Sequence, residues 1–124
     1  MNAPTTALMS IDFKKGRIRI HKESLRLIGN PKYVHFLVSI ETESIALRGI
    51  EKDSNLLGTI RIIPQLEADY DVHCTLFLNM LASRFPVFDE MCTYRVTGTV
   101  YQDERAIIFP VHTRQKYDPE RINA

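Results

Sequence analysis

The sequence predicts an α+β fold, mostly β, built from two tandem β-α-β-β units. Short runs that alternate polar and apolar residues are typical of strands with one buried face. The order of strand, helix and hairpin also occurs twice along the 124 residues, a length that suits one compact domain. We therefore predict one compact domain with a basic first unit at 1–50, a linker at 51–57, an acidic second unit at 58–113 and a polar tail at 114–124.

The first unit begins with the strand RIRI at 17–20, which follows a turn glycine at position 16. Its alternation predicts that Ile18 and Ile20 face inward and that Arg17 and Arg19 face outward. A short helix is expected over 22–28, with Gly29 and Asn30 as its stop signal. A hairpin with strands at 33–40 and 44–50 completes the unit.

The second unit is expected to repeat this order after the polar linker. We predict a strand at 57–63, a helix from an N-cap at Asp69 or Asp71 to Phe85, and a hairpin with strands at 94–101 and 105–111. The tail after it is polar and is expected to be frayed.

Two matches within the chain suggest an internal duplication. The segment GRIRIH at 16–21 resembles GTIRII at 58–63 with an offset of 42, and the two hairpins match with a constant offset of 62. Two unrelated β-α-β-β stretches are the alternative, because short alternating strands resemble one another easily.

Composition places the protein among globular chains. With 44% hydrophobic and 25% charged residues, the chain fits neither disordered nor membrane proteins. No apolar run approaches the roughly 18 to 20 residues of a membrane span, and the first residues lack the pattern of a secretory signal. We expect a cytoplasmic protein that does not enter a membrane.

The cysteines, histidines and acidic residues show no catalytic or metal-binding pattern. Cys74 and Cys92 are expected to be reduced thiols rather than a disulfide. The four histidines lack metal-ligand spacing, so no metal and no cofactor is predicted. The adjacent Asp89 and Glu90 suggest a solvated acidic turn, and His35 is expected on the outer face of a strand. An enzyme is therefore the least favoured class.

Charge is distributed unevenly along the chain. Residues 1–32 contain seven basic and two acidic side chains, a net charge of +5, whereas residues 33–124 contain nine basic and thirteen acidic ones, a net charge of −4. The basic segment favours an anionic partner, with a solvated basic face as the plain alternative.

Residues 16–48 resemble the swapped-hairpin family of AbrB and MazE. The family pattern of glycine, arginine and hydrophobic residues, a short helix ending in leucine and glycine, and a closing hairpin is met by Gly16, Arg17, Ile18, Ile20, Leu25, Gly29, Phe36, Val38, Ile40, Ile45 and Leu47. His21 stands where the family usually has proline. The resemblance implies a swapped-hairpin barrel, built here from two units of one chain, and it places Arg17 and Arg26 at the positions of DNA-contacting arginines.

The first hypothesis for function is a small DNA-binding transcriptional regulator or antitoxin of AbrB type. Arg17 and Arg19 are the candidates for base contacts, and Lys14, Lys15, Lys22 and Arg26 are the candidates for phosphate contacts. The alternative is a small protein-binding inhibitor or adaptor from a phage or mobile element, for example an anti-CRISPR-type antagonist, because the second unit is acidic. Either a monomeric pseudo-dimer or a homodimer is compatible with the pattern.

Overall fold

The computed structural model describes residues 5–52, 59–61 and 68–118. Nine strands occur in these residues: β1 (Thr6–Asp12), β2 (Arg17–Ile20), β3 (Tyr33–Ser39), β4 (Ser44–Ile50), β5 (Thr59–Arg61), β6 (Tyr70–His73), β7 (Thr93–Tyr101), β8 (Ala106–Pro110) and β9 (Gln115–Tyr117). Two α-helices, α1 (Lys22–Leu27) and α2 (Thr75–Arg84), and two short 3-10 helices at Gln102–Glu104 and Val111–Thr113 complete them. The expected class, α+β and mostly β, is confirmed.

The nine strands of the described residues belong to one antiparallel sheet that curls into a half-barrel. Its order is β5-β3-β4-β8-β7-β1-β2-β6, and β9 pairs with β7 outside this path. Neither described helix is long and apolar enough to cross a membrane.

The elements expected in the first unit are present within a residue or two of their predicted bounds. In β2, Ile18 and Ile20 are fully buried while Arg19 is exposed, as the alternation predicts. The helix α1 ends at the expected place, since Gly29 adopts a left-handed conformation with φ of 86° that favours glycine.

An additional strand, β1, precedes the predicted first unit. It alternates three buried residues, Ala7, Met9 and Ile11, with side chains on the opposite face, and it pairs with β2 and β7. This strand is absent from the prediction. With it, the first five described elements run strand, strand, helix, strand, strand, and the same order repeats from β5 to β8.

The second half differs from the prediction in two places. The helix was expected from Asp69 or Asp71, but residues 70–73 form β6 against β2, and α2 begins only at Thr75. Asp69 and Asp71 are therefore not the N-cap of α2, a position that Cys74 occupies. Residues 115–117 of the tail were expected to be frayed, but they form β9 and pair with β7. Of the predicted linker and the strand at 57–63, residues 53–58 and 62–63 lie outside the described residues, and 59–61 form β5.

The two halves of the chain interleave in the sheet. The hairpin β3–β4 lies between β5 and β8 of the second half, and the hairpin β7–β8 lies between β4 and β1 of the first half. Each pair in β7–β8 stands 62 positions after a pair in β3–β4, as Val100 opposite Ile107 follows Val38 opposite Ile45. The hairpins thus share one register.

The match between the segments at 16–21 and 58–63 has no counterpart in the sheet. The first segment contains β2, which lies between β1 and β6, whereas the second contains β5, which lies beside β3. The shared hairpin register makes β4 equivalent to β8 and β3 equivalent to β7. The neighbour of β3 is β5 and the neighbour of β7 is β1, so β5 is equivalent to β1 and not to β2. The expectation that these two segments are equivalent strands is therefore wrong.

Residues from both halves form one hydrophobic core. Ile45 and Leu47 from β4 and Ile107 and Phe109 from β8 are fully buried where the two hairpins meet. Gly98 lets β7 approach this cluster closely, because a Cβ atom there would lie 2.7 Å from Phe109 Cδ1. The halves therefore share their most buried side chains.

The two cysteines are free thiols, and Cys74 is the more informative one. Burial raises the pKa of the Cys74 thiol to about 11, and its Sγ donates to the carbonyl of Val72. In a Cys92→Ser variant at pH 8, we expect Cys74 to react with iodoacetamide about a hundredfold more slowly in the folded protein than in urea, because only the thiolate is nucleophilic. Alkylation followed by mass spectrometry measures both rates, and equal rates would contradict the expected protection.

Candidate nucleic-acid interface

One face of the sheet collects arginines from both halves of the chain. The pairing of β6, β2, β1, β7 and β9 sets two cross-strand rows on this face. The rows are Asp71, Arg19, Ser10, Arg95 and Gln115, and His73, Arg17, Asp12, Thr93 and Tyr117. We call this surface the arginine face.

The strand geometry fixes the spacing of its cations. Arg17 and Arg19 lie two residues apart in β2, so their Cα atoms are about 7 Å apart. Arg19 and Arg95 are both paired with Ser10, from opposite sides, which places their Cα atoms about 10 Å apart. The second half thus adds an arginine to the face that carries the two arginines of the first half.

A carboxylate from β6 is shared by the two arginines of β2. Arg19 donates from Nε to Asp71 Oδ1 at 2.8 Å and from Nη2 to Asp71 Oδ2 at 3.2 Å. Arg17 Nη1 lies 3.6 Å from the same Asp71 Oδ2, and Arg17 Nε lies 3.9 Å from Asp12 Oδ2. The guanidinium groups are therefore held in place on the face.

The same contacts set the protonation behaviour of the face. The hydrogen bond from Arg19 lowers the pKa of Asp71, with burial acting in the opposite sense and Arg17 adding to the lowering. That hydrogen bond also raises the pKa of Arg19. A folded-state pKa below the unfolded value means that Asp71 stabilises the fold above its unfolded pKa and loses this contribution as the pH falls through its folded pKa. The ion pair is thus complete at neutral pH.

Arg95 is positioned by an aromatic ring rather than by this carboxylate. Its guanidinium carbon lies 4.9 Å from the centre of the Tyr117 ring, and the Tyr117 hydroxyl contacts Ser10 Oγ at 3.1 Å. Stacking on a ring orients a guanidinium and keeps its N–H groups able to donate to an anion. The tail strand β9 therefore orders the second-half arginine.

The structure divides the six predicted DNA-binding residues among three places. Lys14 and Lys15 lie in the turn between β1 and β2, at one end of the arginine face, and the Lys15 backbone N–H donates to Asp12. Arg17 and Arg19 lie on the face itself. Lys22 and Arg26 belong to α1, beyond the other end of β2.

The α1 end has its own acidic partners. The Lys22 backbone N–H donates to Asp69 Oδ1 at 3.0 Å, and His21 Nδ1 lies 3.1 Å from Asp69 Oδ2. Arg26 pairs with Glu23 within the helix. Burial acts to raise the pKa of Asp69, but the Lys22 N–H together with His21 and Arg19 outweighs it, so the net shift is downward. This end is therefore less cationic than the sequence alone suggests.

Sequence reasoning missed Arg95 and Tyr117. The charge count places Arg95 only within an acidic half, although the alternation of TYRVTGTV does place it on the outer face of a strand. Tyr117 lies in the polar tail, which the composition predicts to be frayed. Arg95 pairs with Ser10 across β7 and β1, and Tyr117 contacts the Ser10 hydroxyl. Both contacts depend on the order of strands in the sheet, which no local pattern encodes.

The remaining predictions concern the acidic turn at Asp89 and Glu90 and the grouping of side chains that could bind a metal ion. Asp89 and Glu90 are exposed, and Asp89 accepts from the Met91 N–H at 2.9 Å, as in a solvated acidic turn. In residues 5–52, 59–61 and 68–118, no three His, Cys, Asp or Glu side chains are grouped to hold a metal ion.

The fold and this face define a small, mostly β protein with a cationic sheet surface. No family model matches the chain, and neither a curated protein nor a solved structure is significantly similar to it.

Proposed function

We propose that the protein is a small DNA-binding regulator or antitoxin of AbrB type, which binds duplex DNA with the arginine face. The observation that carries the proposal is the placement of Arg17, Arg19 and Arg95 on one sheet face with Lys14 and Lys15 at its end. Arginine side chains that are held by neighbours suit phosphate and guanine recognition, because the fork of donors is already oriented.

The interleaving of the halves supports a single chain as the binding unit. The face draws β2 and β1 from the first half and β6, β7 and β9 from the second. A tandem of two swapped-hairpin units in one chain accounts for the shared register of the two hairpins. Lys22 and Arg26 remain predicted phosphate contacts at the edge of such a complex.

A salt titration tests this function. Five cations, Lys14, Lys15, Arg17, Arg19 and Arg95, release condensed counterions if they contact phosphates, while Asp71 reduces the effect of two of them. We expect the plot of log affinity against log salt to have a slope between about −3 and −5. Fluorescence anisotropy with labelled mixed-sequence duplex DNA measures it. A protein that leaves the anisotropy unchanged at low salt is not a DNA-binding protein of this kind.

A protein partner is the second candidate, and one observation favours it. Leu76 at the start of α2 is 85% exposed and Met91 in the loop before β7 is 68% exposed. Apolar side chains at such exposure form protein-binding surfaces where they are contiguous. An inhibitor or adaptor would bind one protein in a pull-down, lose it on Leu76→Ser substitution, and show no salt-dependent DNA binding.

A further inference from the structure

A pocket of about 500 Å³ opens at the end of the arginine face. Three segments of the chain form it: the turn between β1 and β2, the loop that precedes β7, and strand β9. Its volume lies in the range of about 300 to 1,000 Å³ that is typical of small-molecule sites. The pocket is therefore large enough for a nucleotide.

The wall of the pocket is held by the fold. The Phe13 backbone N–H donates to the Cys92 carbonyl at 3.2 Å, which ties the turn to the loop. Beneath them the rings of Phe13, Phe88 and Tyr94 pack together with centroid distances of 5.0 to 5.8 Å. The Asp89 N–H donates to the Tyr94 hydroxyl, which fixes the loop further. The walls are therefore set before any ligand arrives.

The lining combines cations with a flat and apolar surface. Lys14, Lys15 and Lys116 supply three ammonium groups, and Met91 and Tyr117 supply a thioether and an aromatic ring. Two carboxylates also line the pocket, Asp12 and Asp118. Asp12 accepts the Lys15 N–H and is nearly buried, so it is already engaged by the protein.

This combination suits one class of ligand. Ammonium groups bind a phosphate as point charges. A methionine and a tyrosine beside them offer contact to a planar base, since thioether and ring surfaces both pack on flat π systems. We propose that this pocket binds the phosphate and base of a single nucleotide, either free or at the end of a nucleic-acid strand. The proposal deepens the proposed function, because Thr93 and Tyr117 belong to both the pocket and the arginine face.

The test uses the whole 124-residue chain with labelled methionine methyl groups. Titration with each 5′-deoxymononucleotide is expected to shift the Met91 methyl resonance, which a Met91→Leu variant assigns. The Met9 resonance should not move, because Met9 is 1% exposed in the core. An unmoved Met91 resonance would overturn the proposal.

Matched lysine variants test the cations. A Lys14→Ala, Lys116→Ala double variant should bind the mononucleotide about tenfold to a hundredfold more weakly, as expected for lost charge-assisted contacts. Lys52→Ala changes an exposed lysine outside the pocket and should bind as the unaltered protein does. The Met9 resonance reports that each variant is folded. Equal affinities of the double variant and the Lys52→Ala control would contradict the site.

Titrations with two other ligands identify the source of the nucleotide. Inorganic phosphate should bind more weakly than a mononucleotide, and equal binding would overturn the role of the base. A short single strand with a 5′-phosphate that binds more tightly than the mononucleotide indicates a strand end, and the reverse order indicates a free nucleotide. The Arg17→Ala, Arg19→Ala double variant should weaken duplex binding by about a hundredfold or more while the Met91 shift persists, so failure of the arginine face and failure of the pocket are told apart.

Discussion

Replacement of Phe109 by alanine is expected to lower the free energy of unfolding by about 3 to 5 kcal/mol. Phe109 is fully buried in β8, opposite Ile45 of β4, at the contact between the two hairpins. The glycine at position 98 leaves no side chain that could fill the vacated space. Since small domains are stable by about 5 to 15 kcal/mol in total, this one change removes a large part of the stability.

Urea unfolding followed by circular dichroism measures the loss. Ile108→Ala serves as the control, because Ile108 is the next residue of the same strand, faces the other side of the sheet and is half-buried. We expect the control to cost about 1 kcal/mol. If both variants lose the same stability, the hairpin contact is not the centre of the core.

Replacement of both Arg17 and Arg19 by alanine is expected to weaken duplex DNA binding by about a hundredfold or more and to make the salt slope shallower by about 2. The change removes two cations and also leaves Asp71 on the face without its hydrogen-bonded partner. Thermal unfolding should change little, because exposed ion pairs contribute about 0 to 1 kcal/mol each.

Two further variants separate the contributions to this effect. Adding Asp71→Asn to the double variant restores the part of the affinity that was lost to the unpaired carboxylate, and Asp71→Asn alone should tighten binding. Arg48→Ala removes one positive charge, as each single variant Arg17→Ala or Arg19→Ala does, from β4, which lies three places from β1 in the sheet, and it should leave binding unchanged. A loss in Arg48→Ala as large as that in either single variant would show that net charge, not the arginine face, controls binding.

Local patterns predicted the elements whose signals are local. The alternation in RIRI places Ile18 and Ile20 inside, and Gly29 ends α1 because its positive φ is unfavourable for other residues. The strand β6 was missed because Asp69 and Asp71 are also good helix caps, and only pairing with β2 makes the segment extended. Local preference was overridden there by a partner more than fifty residues away.

The candidate site was predictable only in part for the same reason. The outward direction of Arg17 and Arg19 follows from the period of a strand. That Asp71 neutralises them, and that Arg95 stands two strands away, follows from sheet order. Contacts at long sequence separation depend on which strands become neighbours, and short alternating strands do not specify this uniquely.

The interleaved hairpins also bear on synthesis. As the chain leaves the ribosome, β4 emerges well before β8, the strand with which it pairs. The separation along the chain is larger still between β1 and its partner β7. Pairings over such separations form slowly and leave strand edges open in the meantime. The nascent first half is therefore the stage at which unpaired strand edges are most open to wrong pairing.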